Sequence, residues 1–334
     1  MNLLFLCKAS EKIGLGHLVR SRSLARFLSK KPGIIVDFHV IEQNFDRLSV
    51  GENISYSFFA NESDHKLSKD YDLIFLDMLN VGEELFRNLK QNSKLVLLSP
   101  VFNKINEVDF FFHRTSYHPS LASLSNVRKY AGLDYSIISD ECIRIAETRY
   151  RENLNTLSLP IAISMGGGDA NNKTLKLLKN LKNCKAPVTF WVLLGEGYSH
   201  SYDELVKEVT KDTTHEVILV RSNRHMWHVL QNCALGIFPG GITVYEAAYA
   251  GLPSVVIVED DAQAYLVEEL VEKGVCLTIS ASAESYPKSL VEVIDGIFKD
   301  RSKLLNMHAS SVCIDGHGKE RIFNLINDFV KESR

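Results

Sequence analysis

Short apolar runs alternate with amphipathic stretches along almost the whole chain, and this alternation constrains the fold more than any other feature of the sequence. The runs are rich in β-branched residues, as strands are, and strands that alternate with helices form parallel sheets. The sequence therefore predicts an α/β protein. The predicted strands cover residues 2–7, 34–41, 73–77, 95–98, 109–112, 161–165, 189–194, 216–220, 235–238 and 254–258. The predicted helices cover 17–29, 81–91, 140–153, 172–180, 202–210, 223–232, 244–250, 262–273 and 318–331.

The alternation falls into two Rossmann-like halves, in keeping with a length of 334 residues. Each half opens with a strand that runs into a glycine-rich turn, although the residues around the two turns do not match. A polar stretch ended by Pro160 separates the halves. We therefore predict an N-terminal domain over 1–155, a C-terminal nucleotide-binding domain over 156–312, and a last helix over 313–334 that packs back on the first domain. Ligands in such sheets bind at the carboxyl ends of the strands, so we expect the site in the cleft between the domains.

Composition narrows the function. The net charge of −3 argues against binding of nucleic acid, which needs a basic surface. No apolar run is long enough to span a bilayer, and the apolar N-terminus has no basic segment before it, so we expect neither a transmembrane segment nor a signal peptide. The six cysteines form no Cys-x-x-Cys pair. Reduced thiols in a cytoplasmic protein are therefore expected.

The first candidate motif is Gly14-Leu-Gly16-His17, which follows the first strand and opens a helix. The glycines leave backbone amides available to an anion at a helix N-terminus. A dinucleotide fingerprint is disfavoured, because Val19 occupies the third glycine position. His17 could act as a general base near neutral pH. The motif alone supports a capping or packing histidine equally well.

The second motif, Gly240-Gly241-Ile-Thr243-Val-Tyr-Glu246, also lies between a strand and a helix. Its two glycines would let a diphosphate approach the backbone, and Thr243 could donate its hydroxyl. Glu246, one helical turn further on, could accept both ribose hydroxyls of a nucleotide. A capping box with Thr243 as N-cap and Glu246 three residues later is the structural alternative.

The third motif is the run Gly166-Gly167-Gly168-Asp169 at the end of the first strand of the second half, where we expect backbone contacts to substrate. Two further groups are weaker candidates. His225 and His228 could share a metal, but no third ligand is evident and solvated surface is favoured. The acidic run 259–261 resembles a metal site by composition only.

In chain order these motifs resemble the hydrolases of the pseudaminic acid pathway, which remove UDP from a diacetamido-trideoxy-altropyranose. The resembling segments are Gly14–Ser21, Gly132–Tyr135, Met165–Asp169, Gly240–Glu246, Gly251–Pro253, Gln263 and Asp315–Gly318 with Arg321. The resemblance implies a GT-B fold and hydrolysis of a UDP-linked amino or deoxy sugar, in cell-surface glycan or nonulosonic acid biosynthesis. It also implies that His17 activates the attacking water, while the Gly240–Glu246 segment holds UDP.

Carried over residue by residue, the resemblance assigns substrate or nucleotide contacts to a wider set. The set comprises Gly14, Gly16, Arg20, Gly166, Gly167, Gly168, Asp169, Gly240, Gly241, Thr243, Glu246 and Gln263. Backbone amides would stabilise the leaving diphosphate, so we expect no metal and no cofactor. A monomer is expected.

The chain departs from the family pattern at three places. Asp77-Met78-Leu79 stands where the family has Asp-His-Tyr, Ser99-Pro100 replaces paired aspartates, and Ala262 replaces an asparagine before Gln263. These departures leave the identity of the sugar open. A GT-B glycosyltransferase, in which His17 deprotonates an acceptor hydroxyl, is the alternative function. A catalytically silent sugar-nucleotide binding protein is less favoured, because His17 is retained.

Overall fold

The computed structural model describes residues 1–9, 15–41, 54–99, 104–117, 119–211, 215–221, 225–281 and 286–332. The chain divides into two compact units. The first unit combines Met1–Ser139 with Gly316–Arg334, and the second is Asp140–Asp315.

Strands and helices alternate in both units, as the sequence pattern predicts. The strands are β1 (Asn2–Lys8), β2 (Ile35–Ile41), β3 (Ile54–Phe59), β4 (Leu73–Asp77), β5 (Lys94–Leu97), β6 (Phe110–His113), β7 (Arg128–Ala131), β8 (Leu159–Ile163), β9 (Val188–Leu194), β10 (Glu216–Arg221), β11 (Leu235–Pro239), β12 (Ser254–Val258) and β13 (Cys276–Ser280). The helices are α1 (Gly16–Ser29), α2 (Glu83–Asn92), α3 (Glu147–Leu154), α4 (Lys173–Leu181), α5 (Tyr202–Val209), α6 (Met226–Leu230), α7 (Ile242–Ala250), α8 (Asp261–Glu272), α9 (Tyr286–Lys299), α10 (Ser302–Ala309) and α11 (Gly318–Glu332).

Each unit is built on one parallel sheet. The first has seven strands in the order β3-β2-β1-β4-β5-β6-β7, and the second has six in the order β10-β9-β8-β11-β12-β13. The chain works outward from β1 and then returns to its other side at β4, and it does the same around β8 and β11. Such a reversal is a topological switch point, where the loops leaving two neighbouring strands diverge and open a crevice for ligands.

Both faces of the first sheet are buried. On one face, Phe5 stacks on Phe75 with ring centroids 4.4 Å apart, beneath Leu24 of α1 and Ile326 of α11. On the other face, β1 packs with Phe86 of α2. Burial of each such side chain contributes about 1.5–3 kcal/mol. This cover on both sides explains why the central strands are almost continuously apolar.

The units divide at residues 139 and 140, sixteen residues before the predicted boundary at 155 and 156. The reason lies in α3, which belongs to the second unit. The Tyr150 hydroxyl donates to the carbonyl of Ala234 at 2.8 Å, and the Ile145 amide donates to the carbonyl of Ala250 at 2.8 Å. These contacts commit the segment to the second core before the polar stretch that suggested the break.

Helix α11 completes the first unit, with Ile322 and Ile326 fully buried in its core. Gly318 begins this helix against the backbone of Ser136, where a Cβ would lie 2.2 Å from the carbonyl oxygen. Arg321 donates to the carbonyl of Asp134 at 3.1 Å. Gly318 and Arg321 therefore meet the Gly132–Tyr135 segment and its next residue within the first unit, and these contacts hold the last helix in place.

Several elements escape the sequence pattern. The strands β3, β7 and β13 and the helices α9 and α10 were not anticipated, and α3 begins seven residues later than the predicted 140–153 helix. Each of these three strands lies at the edge of its sheet. Edge strands are less apolar than central ones, so their pattern is weak. None of the helices in the described part of the chain is long and apolar enough to cross a bilayer.

Candidate functional site

His17 and Asp77 meet at the switch point of the first unit. His17 lies in the first turn of α1, the next helix or strand after β1, and Asp77 is the last residue of β4, the strand beside β1. The Nδ1 atom of His17 lies 2.6 Å from Oδ1 of Asp77. The side chain of Asp77 is 1% exposed and that of His17 is 15% exposed. The carboxylate is thus sealed, while the imidazole keeps access to solvent.

Three further side chains converge on the Asp77 carboxylate. Arg20 Nε donates to Oδ2 at 2.9 Å, and Nη2 donates to Oδ1. Ser21, next on the same helix, donates its hydroxyl to Oδ2 at 2.8 Å. Ser99 follows β5, donates its hydroxyl to Oδ1, and accepts a bond from Arg20. We call His17, Arg20, Ser21, Asp77 and Ser99 the histidine network.

The network fixes the charge of Asp77. Burial alone would raise the pKa of this carboxyl, but the charges of Arg20 and His17, with their hydrogen bonds, hold it well below its ordinary range. An ionised carboxylate can only accept, so the proton between the two groups belongs to Nδ1 of His17. In the neutral imidazole, Nε2 then carries the lone pair and can take a proton from a ligand.

The remaining predicted residues of the first turn have different positions. Gly16 is the exposed first residue of α1, with open space where a Cβ would stand. Gly14 lies outside the described residues. Arg20 was expected to contact substrate, yet the residue is 8% exposed and its guanidinium is bonded to Asp77 and Ser99. Its place in the structure is that of a residue that holds the network together.

At the switch point of the second unit, both remaining glycine motifs come together, because β8 and β11 are neighbours. Gly166 has φ of +92°, a conformation that favours glycine. The backbone of Gly167 passes so close to Gly195 that a Cβ there would lie 2.4 Å from the Gly167 carbonyl oxygen. Glycine is therefore favoured at position 166 by the turn and at position 195 by the close approach of the Gly167 backbone, independently of any ligand.

The turn after β11 leads into α7 without a side-chain cap. Gly241 is the N-cap residue, and no side chain bonds to the first turn from that position. Because the helix begins at Ile242, Thr243 is its second residue and not its cap, so the capping box with Glu246 is not formed. Glu246 lies in the next turn and is 4% exposed. The N-cap glycine thus makes no side-chain bond to the first turn, and its lack of a side chain leaves room for a ligand to approach the helix N-terminus.

Gln263 belongs to the same neighbourhood. Its Oε1 would lie 3.4 Å from a Cβ on Gly240, and it accepts a hydrogen bond from the Glu259 amide at 3.2 Å. The Asp169 carboxylate, in contrast, bonds to the N-terminus of α4. Both of its carboxylate oxygens cap α4, accepting from the amides of Lys173 at 2.8 Å and Thr174 at 2.9 Å. Asp169 therefore acts as a structural cap, with φ of +44°.

The weaker candidates show no metal site. Among the described residues, no three His, Cys, Asp or Glu side chains gather into a group that could hold a metal ion. His225 and His228 lie edge to face with ring centroids 5.4 Å apart. In the acidic run, Asp260 caps α8 and Glu259 pairs with Lys173. No disulfide joins the six cysteines.

Asp77, Ser99, Lys173 and Glu259 are functional candidates that the sequence reasoning missed as site residues. For three of them the available signal was positional, since Asp77 ends a strand and Ser99 and Glu259 follow the carboxyl end of one within two residues. Asp77 and Ser99 drew notice only as departures from a family pattern. Their convergence on His17 depends on the strand order β1-β4-β5, which the sequence pattern does not give.

Comparisons with known proteins agree with this architecture. Residues 164–325 match the model of the glycosyltransferase family 28 C-terminal domain. Over nearly the whole chain the protein is similar to UGT2 of Phytolacca americana, solved with UDP-2-fluoro-glucose and pterostilbene. That match has a TM-score of 0.64 and 10% identity, and it covers 98% of this chain and 99% of the other. The chain has the GT-B fold. The prediction of fold class is confirmed.

Two sequence relatives extend the likeness. The spore coat polysaccharide biosynthesis protein SpsG of Bacillus subtilis is 21% identical over 333 residues, which are 96% of each chain. An uncharacterized protein of Methanocaldococcus jannaschii, MJ1062, is 22% identical over 290 residues, or 82% of this chain. The aligned part spans 59% of the archaeal protein's length. Residues 164–325 are thus similar to a glycosyltransferase domain, and nearly the whole chain is similar to a protein named for polysaccharide biosynthesis.

Proposed function

We propose that this protein is an enzyme that hydrolyses a nucleotide-activated sugar, with UDP as the nucleotide and His17 as the general base. The observation that carries the proposal is the 2.6 Å contact between His17 and a buried, ionised Asp77 at the switch point of the first unit. A packing histidine has no need of a sealed carboxylate held by three other side chains. Such an arrangement is suited to proton transfer.

In the proposed reaction, Nε2 of His17 takes a proton from water as the water oxygen attacks the anomeric carbon. The bond between that carbon and the diphosphate breaks, and its electron pair leaves with the diphosphate. Asp77 stabilises the imidazolium that forms and keeps the proton-free nitrogen on the side of the ligand. Arg20 and Ser99 hold Asp77 in place and in its charged state.

The second unit would bind the nucleotide. The uncapped N-terminus of α7, entered through Gly240 and Gly241, offers amides and a favourable helix dipole to the diphosphate. Glu246 would accept the ribose hydroxyls, and Gln263 would line the same turn. The UDP ligand of the plant relative's structure supports a uridine nucleotide on this fold.

Glycosyl transfer is the second candidate, and the match of residues 164–325 to a glycosyltransferase domain favours it. The same base would then deprotonate an acceptor hydroxyl in place of water. The full-length resemblance to UDP-sugar hydrolases, with its Gly-x-Gly-His and Gly-Gly-x-Thr-x-x-Glu pair, supports hydrolysis as the first choice.

The test is NMR of wild-type protein and the His17→Ala variant with a panel of UDP- and CMP-sugars and no acceptor. We expect wild type to release free sugar and nucleoside diphosphate from at least one of them, and His17→Ala to release neither. If UDP binds but every sugar nucleotide stays intact, hydrolysis is wrong for that panel and acceptor-dependent transfer takes its place. Release that survives in His17→Ala would remove the histidine from its role as base.

A further inference from the structure

An ion pair joins two loops at the switch point of the second unit. Nζ of Lys173 lies 2.6 Å from Oε1 of Glu259, with side chains 20% and 35% exposed. Lys173 is the first residue of α4, which follows β8, and Glu259 directly follows β12. Neither residue belongs to the glycine motifs, and the catalytic proposal uses neither.

The strand order places this pair across the nucleotide turn. Strand β11 lies between β8 and β12, and neighbouring strands are about 4.8 Å apart, so a bond between the two flanking loops crosses the carboxyl end of β11. That end continues through Gly240 and Gly241 into α7. Gln263 accepts a hydrogen bond from the Glu259 amide and lies beside Gly240, where an added Cβ would be 3.4 Å from its Oε1, so Gln263 connects the Glu259 backbone with the turn.

We propose that Lys173 is a cationic ligand for the diphosphate of the nucleotide, and that Glu259 is the ion-pair partner of Lys173 when no nucleotide is bound. On binding, the diphosphate replaces the Glu259 carboxylate on the Lys173 ammonium, and Glu259 turns to water. This inference rests on the proposed function, because it assigns a further residue to the nucleotide that the enzyme would use. Glu259 would thereby compete with the nucleotide for Lys173.

The exchange is physically reasonable for this pair. Partly exposed ion pairs contribute only about 0–1 kcal/mol, so releasing Glu259 costs little. A diphosphate carries more negative charge than one carboxylate and offers several oxygens, and charge-assisted bonds to it are strong. The two side chains should therefore affect nucleotide affinity in opposite directions. A pair that only braced the loops would affect it in the same direction.

The experiment is calorimetric titration of the full-length protein with UDP and with uridine, which lacks the phosphates. Lys173→Gln should weaken UDP binding about tenfold or more and leave uridine binding unchanged. Glu259→Gln should strengthen UDP binding about threefold, because the neutral amide no longer competes for the ammonium. Lys288→Gln is the matched control, since it breaks the exposed Lys288–Glu292 pair of α9 and should change neither. Thermal unfolding shows whether each variant is folded.

The outcomes separate this inference from the proposed function. Unchanged UDP affinity in folded Lys173→Gln, or weaker UDP binding in both variants, overturns the inference and leaves the ion pair as a brace. Opposite effects on UDP with no sugar released by wild type would support the inference while removing hydrolysis. Wild type that binds none of UDP, CDP, GDP, ADP and dTDP overturns both.

Discussion

The two switch points of this molecule occupy equivalent places in their sheets, but one is lined by polar side chains and the other by backbone. In the first unit, ionisable and hydroxyl side chains converge on Asp77 and are almost fully buried. In the second, glycine backbone and the open end of α7 form the centre. Proton transfer needs a group of defined charge in a fixed position, whereas a phosphate can be held by backbone amides. The difference predicts that side-chain substitutions will matter far more in the first unit.

Asp77→Asn should have the largest effect. The amide can donate to Nδ1 of His17, which would move the proton to Nε2 and remove the base. We expect kcat for sugar release to fall about 10³-fold or more, with UDP affinity within about twofold of wild type. Stopped assays by NMR and UDP titration measure the two quantities. A variant that keeps its activity would show that the carboxylate does not set the histidine's proton.

Acid should weaken the first unit selectively. Burial lowers the pKa of His39 to about 4, and burial with the neighbouring His39 lowers that of His65 to about 4. Both are neutral in the folded state but take up protons below about pH 6.5 when unfolded, so the unfolded state binds more protons between pH 6.5 and 4. The free energy of unfolding should therefore fall by roughly 1–3 kcal/mol over that range and stop falling through these groups below pH 4.

Hydrogen exchange resolved on the two units at pH 7 and pH 5 measures this loss. The control is His65→Leu, which removes one of the two groups and should flatten the pH dependence of the first unit. The rings are joined by a 2.9 Å contact from His39 Nδ1 to His65 Nε2, so a change in baseline stability is expected as well. An unaltered slope in the variant would contradict the assignment.

Ser99→Ala should give a smaller effect than Asp77→Asn. The hydroxyl bonds both Asp77 and Arg20, and the carboxylate keeps its bonds from Arg20 and Ser21 when it is removed. We expect kcat to fall about tenfold with KM unchanged, in line with loss of one hydrogen bond to a charged group. A larger change in KM than in kcat would instead indicate that Ser99 contacts substrate.

Thr243→Ala should change least. If backbone amides hold the diphosphate, deletion of one hydroxyl costs about 1 kcal/mol or less, and UDP affinity should fall no more than about fivefold. The measurement is UDP titration, with kcat expected to be unaffected. A loss of a hundredfold would break the comparison, because it would make the second switch point as dependent on side chains as the first.

The central strands and the glycine turns could be predicted from sequence because they combine two strong signals, continuous apolar runs and glycine directly after them. His17 stood out for the same reason. The partners of His17 could not be predicted, since Asp77 and Ser99 are 60 and 82 residues away along the chain and meet it only through strand order. The role of Asp169 as a cap was also hidden, because a carboxylate after three glycines fits a ligand contact equally well in sequence.

The predicted domain boundary differs from the division seen in the structure for a related reason. Polar residues over 151–159 indicated a linker, yet the buried Tyr150 just before them anchors the segment to the second unit. Composition describes only the residues of the stretch itself. The contact that assigns the segment to the second unit is the hydrogen bond from Tyr150 to Ala234, which lies far along the chain. The edge strands that the sequence pattern did not predict also depend on contacts distant in the chain. Strand β7, with the sequence Arg-Lys-Tyr-Ala, is recognisable as a strand only from its pairing with β6.

The seating of α11 has a consequence for biosynthesis. The first unit combines a segment that precedes the second unit in the chain with one that follows it, while the second unit is a single uninterrupted segment between them. During translation the second unit can therefore finish folding while the first still lacks the helix that covers one side of its sheet. Residues of the first core that pack beneath Ile322 and Ile326 stay uncovered until α11 has been synthesised. A ribosome stalled shortly before Gly318 would thus hold a nascent chain whose second unit can be folded while part of the first core is still exposed to water.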